Sequence, residues 1–340
     1  MSPTAPPEPL LAVDRLRLNF KVPSGVPFKP GRRVHAVDDV SLTASRGQTL
    51  GLVGETGCGK STLARCILRL YDVDEGTIRF KGQDITHLRG QQLRHIRKNM
   101  QPIFQDPYAS LNPRATVREI VAEPLIAHGF GGGDVRDRVK EALDLVGLNP
   151  RMGERFPHEF SGGQRQRISI ARAIILKPEL IVADEPLSAL DVSIQAQIIN
   201  LLLDLQEKLS LTYVFISHDL RVVRHISTNI AIMFLGKIVE YGPAEEVCLN
   251  PRHPYTAALL SAVPSLPGRR TVARVLLAGD PPSPMSPPSG CRFRTRCPRA
   301  REVCAGEPPP LDELDPDHRV ACYFPLSRGE WLAPQEEQVG

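Results

Sequence analysis

Short apolar runs alternate with longer stretches of helical spacing through the middle of the chain. The runs Thr49–Val53, Leu180–Ala183 and Leu211–Ser217 are typical of parallel strands that are buried on both faces. Four other stretches repeat apolar residues every three or four positions: Lys60–Tyr71, Arg136–Val146, Arg165–Leu176 and Ile194–Leu209. This alternation predicts an α/β fold around a mostly parallel sheet.

The two ends of the chain differ from this middle section. Near the start, residues 12–20 and 34–44 are predicted strands, and the proline-rich segment 22–33 between them is a predicted surface loop. Residues 229–241 are predicted to form two strands around Gly236-Lys237, as a hairpin at the sheet edge. Prolines then become frequent, and they predict an extended connector over 264–290 followed by a separate small unit.

Composition narrows the class of protein. The 340 residues are 41% hydrophobic, which is enough for a packed core, and the net charge of +4 is too small to indicate a nucleic-acid partner. No apolar run approaches the ~18 residues of a membrane helix, and the first ten residues lack the features of a secretory signal. Seven cysteines, an odd number, do not suggest a disulfide framework. We therefore expect a soluble, cytosolic chain.

A phosphate-binding loop is the first chemical motif. Residues 54–61, GETGCGKS, follow the strand Thr49–Val53 and open the helix at Lys60, which is the context that this motif requires. Its backbone N–H groups can surround phosphate oxygens at a helix N-terminus. Lys60 is expected to bridge the β- and γ-phosphates, and Ser61 to ligate Mg²⁺. The alternative is a chance glycine-rich turn before a helix.

Two carboxylates end the predicted strand Leu180–Ala183. Asp184 is placed to hold Mg²⁺ through water, and Glu185 to orient and deprotonate the attacking water. The alternative is a pair of acids that cap the following helix.

A second anion site is predicted at residues 161–164, Ser161-Gly162-Gly163-Gln164, which precede a helical stretch. Because the loop 54–61 already encloses one nucleotide's phosphates, this segment could serve the γ-phosphate of ATP held by a partner chain. The alternative is an ordinary N-capped helix.

In this order, GETGCGKST (54–62), FSGGQRQR (160–167) and LIVADEP (180–186) resemble the ATP-binding subunits of ABC transporters. The resemblance implies a RecA-like parallel-sheet core, an antiparallel β subdomain and an α-helical subdomain at about 106–170, within an ATPase domain of 10–250. It also implies a head-to-tail dimer with ATP and Mg²⁺ as cofactors. The implied nucleotide-binding residues are Gly54, Glu55, Thr56, Gly57, Cys58, Gly59, Lys60, Ser61, Thr62, Ser161, Gly162, Gly163, Gln164, Asp184 and Asp191.

Further roles follow from position in the same family pattern. Gln105 resembles the glutamine that senses Mg²⁺ and the membrane partner, and His218 resembles the switch histidine at the γ-phosphate. Residues 188–191, SALD, resemble the loop across the dimer interface. Phe20 matches the aromatic that stacks on adenine. The alternatives are a core aromatic for Phe20 and a surface histidine for His218.

A closer resemblance covers nearly the whole chain. The phrases FQDPYASLNPR (104–114), SALDVSIQAQI (188–198), HPYTAALLSAVP (253–264) and PSGCRFRTRCP (288–298) resemble oligopeptide/dipeptide importer ATPases, and nickel importer ATPases share parts of them. The resemblance implies peptide import with a second, different ATPase chain, two membrane permeases and a solute-binding protein. The chain would lie peripherally on the cytoplasmic face of the membrane. One competing class is an ABC-type ATPase that acts on chromosomes or ribosomes without a transporter. Another is a metal or redox sensor, in which the C-terminal tail carries the main function and the ATPase is attached to it.

Four cysteines follow the proline-rich connector, taken as 251–290, in an extension taken as 291–325. Cys291, Cys297, Cys304 and Cys322 are spaced C-x5-C-x6-C-x17-C. A segment without its own core needs a cross-link, such as a bound metal, to stay folded. A set of four cysteines suits a [4Fe-4S] cluster. The alternative metal is zinc, for which His318 is the nearby imidazole ligand. The third possibility is four reduced cysteines. Five neighbouring arginines are expected to stabilise thiolates: Arg292, Arg294, Arg296, Arg299 and Arg301.

Overall fold

The computed structural model describes residues 8–22, 31–262 and 279–332. Twelve strands form in these ranges: β1 (Leu11–Val22), β2 (Arg32–Ala44), β3 (Thr49–Val53), β4 (Glu75–Phe80), β5 (Gln83–Asp84), β6 (Met100–Ile103), β7 (Leu180–Asp184), β8 (Thr212–Ser217), β9 (Asn229–Phe234), β10 (Lys237–Pro243), β11 (Asp312–Asp315) and β12 (His318–Val320).

The same ranges contain ten α-helices: α1 (Lys60–Ile67), α2 (Gly90–Lys98), α3 (Pro107–Ser110), α4 (Val117–Ala127), α5 (Gly133–Leu145), α6 (Gly162–Ile174), α7 (Val192–Leu209), α8 (Leu220–Ile226), α9 (Ala244–Leu249) and α10 (Pro254–Ser261). Short 3-10 turns occur at Pro150–Glu154, Pro157–Glu159, Glu302–Ala305 and Glu330–Leu332.

The large sheet of the described residues has eight strands in the order β11-β12-β10-β9-β3-β8-β7-β6. Its pairs β9/β3, β3/β8, β8/β7 and β7/β6 are parallel. Every residue of β3, β7 and β8 is buried, because helices cover both faces of a parallel sheet. The α/β fold class and these three strands, predicted from continuous apolar runs, are confirmed. Parallel order brings the carboxyl ends of β3, β7 and β8 to one edge, where the predicted chemical residues lie.

A second, antiparallel sheet of the described residues has the order β2-β1-β4-β5. The predicted strands 12–20 and 34–44 correspond to β1 and β2, which pair from Leu11 with Ala44 to Val22 with Arg32. Of the predicted loop 22–33, residues 23–30 lie outside the described part of the chain. On another side of the large sheet, α4, α5 and α6 pack on one another.

The two strands predicted at 229–241 are present as the hairpin β9–β10, but the prediction that this hairpin forms the edge of the sheet is wrong. Leu235 and Gly236 form the turn with φ of 43° and 82°, so both adopt the left-handed conformation of a tight hairpin. β10 then pairs on its outer side with β12, with Glu240 opposite Val320. Strands from the C-terminal region therefore extend the sheet beyond this hairpin.

The C-terminal region is also not the separate unit that its composition predicts. Phe293 is 1% exposed and belongs to the same apolar core as Phe234 and Tyr255, with ring centroids 5.4 Å and 5.3 Å away. The buried Glu240 carboxylate receives the backbone N–H of His253 at 3.0 Å and lies 2.7 Å from the His318 ring nitrogen Nε2. The extension is thus built into the main apolar core, and it needs no core of its own.

Part of the expected connector is described and part is not. Residues 254–261 form α10, a buried helix whose Pro254 stands at its first position. Residues 263–278 of the predicted extended segment lie outside the described residues. Among the described helices, none has both the length and the apolar character needed to cross a membrane.

Candidate active site

The glycine-rich loop joins β3 to α1, as its sequence context predicts. Gly59 has φ of +111° at the helix N-cap, and a Cβ there would lie 2.1 Å from the carbonyl oxygen of Ala36. A Cβ on Gly54 would meet the carbonyl oxygen of Met233 at the same distance. Only glycine fits either position, so the loop can pass close to neighbouring backbone and lead into the N-terminus of α1, where helix N–H groups can face an anion.

Lys60 occupies the first turn of α1 and is 4% exposed. Its ammonium Nζ donates to the carbonyl oxygens of Gly54 at 2.8 Å and Glu55 at 3.1 Å. The cation is therefore held inside the loop by two neutral acceptors. Triphosphate oxygens would replace those carbonyls as stronger, charged partners.

Two acidic residues end β7 beside the loop. The Ser61 hydroxyl donates to the Asp184 carboxylate at 2.8 Å, which brings together the two groups expected at Mg²⁺. Burial raises the pKa of Asp184 above its usual value, with the neighbouring carboxylate adding to the rise and the hydrogen bond from Ser61 opposing it. Oxygen donors of this kind are the ligands that Mg²⁺ prefers, so the residues fit the ion.

Glu185 lies at the centre of the remaining polar side chains. Gln105 donates its amide N–H to the Glu185 carboxylate at 3.0 Å, and the Nδ1 nitrogen of His218 lies 3.6 Å from the same oxygen. The other carboxylate oxygen is 3.9 Å from the Lys60 ammonium. Glu185 itself has φ of 46°, a left-handed conformation that costs a non-glycine residue ~1 kcal/mol or more. Its backbone N–H donates to the Ile216 carbonyl at 3.1 Å, which fixes this turn on β8.

A cavity of about 490 Å³ opens over these groups. Phe20 forms part of its wall with its side chain partly exposed, and its ring meets Tyr71 edge-on at 5.5 Å. The predicted residues that line the cavity are Phe20, Thr56, Gly57, Gly59, Lys60, Ser61, Thr62, Gln105, Glu185 and His218. Ser188, from the segment 188–191 predicted at a dimer interface, also lines it. Val34, Ala36 and Pro284 complete the lining, and their sequence pattern gives no signal of this role. The volume suits a nucleotide.

The segment 161–164 lies elsewhere. Ser161 caps α6 by accepting the Gln164 backbone N–H at 3.4 Å, while the Gln164 side chain accepts the Ser161 N–H at 3.0 Å. The ideal Cβ positions of Gly162 and Gly163 face Leu190 and Ile194, at 3.5 Å and 2.6 Å. Asp191 is the N-cap residue of α7 beside them. Within the described part of the chain, none of these predicted nucleotide-binding residues lines the cavity.

Cys58 belongs to the loop itself and is buried, at 5% exposed. Burial raises the pKa of its thiol, so it stays protonated in this setting. It fills space within the phosphate-binding loop and leaves the anion site to the backbone.

The four C-terminal cysteines gather in one region, where the Cys291 backbone N–H donates to the Cys304 carbonyl at 2.9 Å. Burial raises the pKa of Cys291, Cys297 and Cys322, to about 12 for Cys322, and neighbouring cysteines add to each rise. No group of three or more His, Cys, Asp or Glu side chains in the described ranges is arranged to hold a metal ion. His318, considered as a zinc ligand, instead bonds Glu240.

Of the five arginines expected to stabilise these thiolates, Arg294 opposes the raised pKa of Cys291 and Arg299 that of Cys297. The side-chain hydrogen bonds and ion pairs of the five go to other groups. Arg292 pairs with Asp38, Arg296 with Glu55 and Arg299 with Glu330. Arg301 lies 4.2 Å from the centre of the Phe324 ring, and Arg294 donates to the Ser289 carbonyl at 3.0 Å. Arginines favour carboxylates as partners because these carry a full charge, which a buried thiol does not.

The fold and this site together define a P-loop ATPase. The family model described as "ABC transporter" matches residues 37–188, and the model "Oligopeptide/dipeptide transporter, C-terminal region" matches 239–304. The chain belongs to the ABC transporter ATP-binding protein family and is an ATP-hydrolysing subunit of that class.

Named relatives place the chain more closely. It is 52% identical over 321 residues to the oligopeptide transport ATP-binding protein AppF of Bacillus subtilis (strain 168), covering 93% of this chain and 98% of the relative. It is 50% identical over 320 residues to the oligopeptide transport ATP-binding protein OppF of Salmonella typhimurium, covering 92% and 95%.

Solved structures agree with this fold. CbiO1 of Clostridium perfringens, part of the transporter complex cbiONQ, is similar with a TM-score of 0.62 and 27% identity, over 71% of this chain and 90% of that one. The ATP-binding cassette MJ0796, a dimer bound to ADP and Pi in a post-hydrolysis state, is similar with a TM-score of 0.61 and 29% identity, over 69% and 98%.

Proposed function

We propose that this chain is the ATP-hydrolysing subunit of an importer of dipeptides or oligopeptides. It would work with a second, similar ATPase chain, two membrane permeases and a solute-binding protein, on the cytoplasmic face of the membrane. The observation that carries the proposal is the likeness to oligopeptide transport ATP-binding proteins over nine-tenths of the chain, including the C-terminal region. The residues of the site would contact nucleotide and not the solute, so the solute is inferred from the relatives alone.

In this proposal the cavity takes one ATP. Phe20 stacks on the adenine, the loop 54–62 surrounds the phosphates, and Lys60 turns from its two carbonyls to the β- and γ-phosphates. Ser61, Asp184 and Gln105 would hold Mg²⁺, which neutralises charge on the phosphates when it is bound.

Glu185 would act as the general base. Its carboxylate is positioned by the Gln105 amide, so it can orient a water molecule towards the γ-phosphate and take a proton from it. His218, next to the same oxygen, would contact the γ-phosphate. Gln105 is also the second residue of the segment 104–128, so a movement of that segment would change the position of the base.

Hydrolysis would require a second ATPase chain. The segment 161–164 and Asp191 share a surface away from the cavity, so in a head-to-tail dimer they could complete the site of the opposite copy. The N-terminus of α6 would then offer N–H groups to a γ-phosphate. The long α7, which begins next to it, would hold Asp191 at the dimer interface.

The membrane permeases would bind beside Gln105. A groove of about 350 Å³ lies there, lined by residues from β6, α4 and α6 that include Glu123 and Arg172. Tyr108 is 63% exposed next to it, and the Arg165 guanidinium lies 3.9 Å from the centre of its ring. Arg165 lies in α6, directly after the segment 161–164, so this contact links the proposed permease surface to the proposed dimer surface.

Replacing Tyr108 by Asp should lower peptide transport more than it lowers the ATPase activity of the isolated subunit. The exposed ring contributes little to the core, but a carboxylate there would oppose docking of an apolar permease segment. Transport into vesicles and ATP hydrolysis by the free chain are the two measurements. Tyr108→Phe keeps the ring over Arg165 and is the matched control. Equal losses of transport and hydrolysis would mean that Tyr108 acts inside the subunit.

Isolation of the native complex tests the proposed assembly. Two permeases, a second ATPase and a solute-binding protein should co-purify in mild detergent. Uptake of labelled dipeptides and of nickel by the reconstituted complex would then decide the solute. A complex that contains ribosomal or chromosomal components in place of permeases would contradict the proposal.

We also propose that the four C-terminal cysteines hold a [4Fe-4S] cluster, with zinc as the alternative. The support is the four-cysteine spacing and the closeness of the segments that carry it: the Cys291 N–H donates to the Cys304 carbonyl at 2.9 Å, and Cys291 and Cys297 pack against the same apolar core. Anaerobic preparations should be brown, with about four irons per chain, and Cys297→Ser should bleach them without removing ATP binding. Colourless protein with one zinc per chain would mean that the cysteines bind zinc and not a cluster. Protein with neither metal would mean that the four cysteines are reduced and bind no metal.

A further inference from the structure

Glu55, the second residue of the phosphate-binding loop, is held by two residues from the C-terminal part of the chain. Its backbone N–H donates to the Tyr255 hydroxyl at 3.0 Å. Its carboxylate accepts from one guanidinium nitrogen of Arg296, with the two oxygens at 3.2 Å and 2.9 Å. Both the backbone and the charge of Glu55 are therefore fixed from outside the loop.

Arg296 reaches the loop because its segment is anchored in the core. Phe293 packs against Tyr255, and the Arg296 backbone N–H donates to the Phe293 carbonyl at 3.0 Å, so a tight turn links the buried ring to the guanidinium. The Arg296 side chain is 9% exposed and the Glu55 side chain 26%. Water and salt therefore screen this ion pair less than an exposed one.

An unpaired Glu55 would oppose nucleotide binding. The carboxylate belongs to the loop that surrounds the phosphates, and the Glu55 carbonyl is one of the two acceptors that hold Lys60. A negative charge there repels a triphosphate and competes with it for the lysine cation. The Arg296 guanidinium cancels this charge. The Nε atom of Arg296 is buried without a hydrogen-bond partner. Among the described residues, Glu55 is the one carboxylate that pairs with Arg296.

We propose that Arg296 is a positioning residue of the nucleotide site, which neutralises Glu55 and holds the loop 54–59 in its anion-binding shape. The C-terminal extension thereby sets the affinity of the chain for ATP. This rests on the proposed binding of ATP at the loop, and it adds a role for a segment that lies outside the ATPase motifs. Pro284, in the connector that precedes the extension, also lines the cavity, and its carbonyl accepts the His35 N–H at 3.2 Å.

Titration of the full-length chain with a fluorescent ATP analogue tests the proposal. Arg296→Gln should raise the Kd about fivefold to tenfold, the effect of one unpaired charge near the phosphates. It should leave kcat at saturating ATP within about twofold, because the groups around Glu185 are untouched. Arg299→Gln, which removes an ion pair between the same extension and Glu330, is the matched control and should bind ATP as the unaltered chain does.

Rescue separates charge neutralisation from a general loss of structure. Adding Glu55→Gln to Arg296→Gln removes the unpaired charge, so the double variant should return to within about twofold of the original Kd. Glu55→Gln alone should bind ATP at least as tightly as the unaltered chain, and Arg296→Lys should keep most of the affinity because it keeps the charge.

Several outcomes would overturn the proposal. Unchanged affinity in Arg296→Gln would do so, and so would a double variant as weak as Arg296→Gln alone. If Arg296→Gln does not fold, weaker binding by Glu55→Gln would still contradict it. If the unaltered chain does not bind ATP, the proposed function is contradicted as well. This outcome can be told apart from the others because they concern only the variants.

Discussion

Replacing Glu185 by Gln should give a protein that binds ATP but hydrolyses it on the order of 10²-fold more slowly or worse, given typical general-base contributions. The amide keeps the size of the side chain and can still bond to Gln105, but it cannot take a proton from water. It also removes a negative charge 3.9 Å from the Lys60 ammonium, so ATP binding should not weaken. Steady-state phosphate release by the assembled complex and nucleotide titration are the two measurements.

Two other variants show whether the loss of hydrolysis is particular to Glu185. Lys60→Ala removes the cation that should contact the phosphates, so it should weaken ATP binding itself. Glu207→Gln makes the same chemical change at an exposed position on α7, and it should alter neither binding nor hydrolysis. Near-normal hydrolysis by the Glu185→Gln complex would contradict the assignment of the base.

The sheet could be predicted from sequence where burial determined the pattern. β3, β7 and β8 are continuous apolar runs because both faces are covered, and the structure confirms them. The short β6, MQPI, gives no such signal, because its pairing with β7 comes from the tertiary fold. Helix ends were less accurate: α1 ends at Ile67 rather than Tyr71, since Arg69 adopts a φ of 57°.

The cavity could be predicted because motif and context agree over a few residues. The loop 54–61 stands between a strand and a helix, and Glu185 and His218 end the neighbouring strands β7 and β8. Parallel strands bring their carboxyl ends together, so these residues meet although they are far apart in sequence.

The contacts of the C-terminal extension could not be predicted in this way. Glu55 and Arg296 are separated by 241 residues, and a single acid and a single arginine carry no pattern. Composition indicated a proline-rich segment and a small unit with cysteines, and proximity in sequence suggested that the arginines serve those cysteines. In the structure, Phe293 joins the main core, which places Arg296 on the loop instead. Local sequence does not show which distant carboxylate a side chain will contact.

Replacing Gly162 by Asp should abolish ATP hydrolysis by a dimer, with a loss on the order of 10²-fold or more from losing an oriented anion site. The change should spare the fold, because a Cβ at Gly162 meets only Leu190 at 3.5 Å. Gly163 is unsuitable for this test, since a Cβ there would lie 2.6 Å from Ile194. Gly131→Asp, at an exposed position with nothing within 4 Å, is the matched control and should hydrolyse ATP normally.

Mixing two inactive variants then decides which copy the segment 161–164 serves. If it acts on the opposite copy, a dimer of one Gly162→Asp chain and one Lys60→Ala chain carries both defects in one site and none in the other. The mixture should therefore recover hydrolysis that neither variant has alone, and cysteines placed at Thr56 and Gln164 should crosslink between copies when ATP is present. If the segment acts within its own chain, both sites stay defective, the mixture stays inactive and crosslinks form only within a copy. The position of residues 161–164 away from the cavity in a single chain favours the first result.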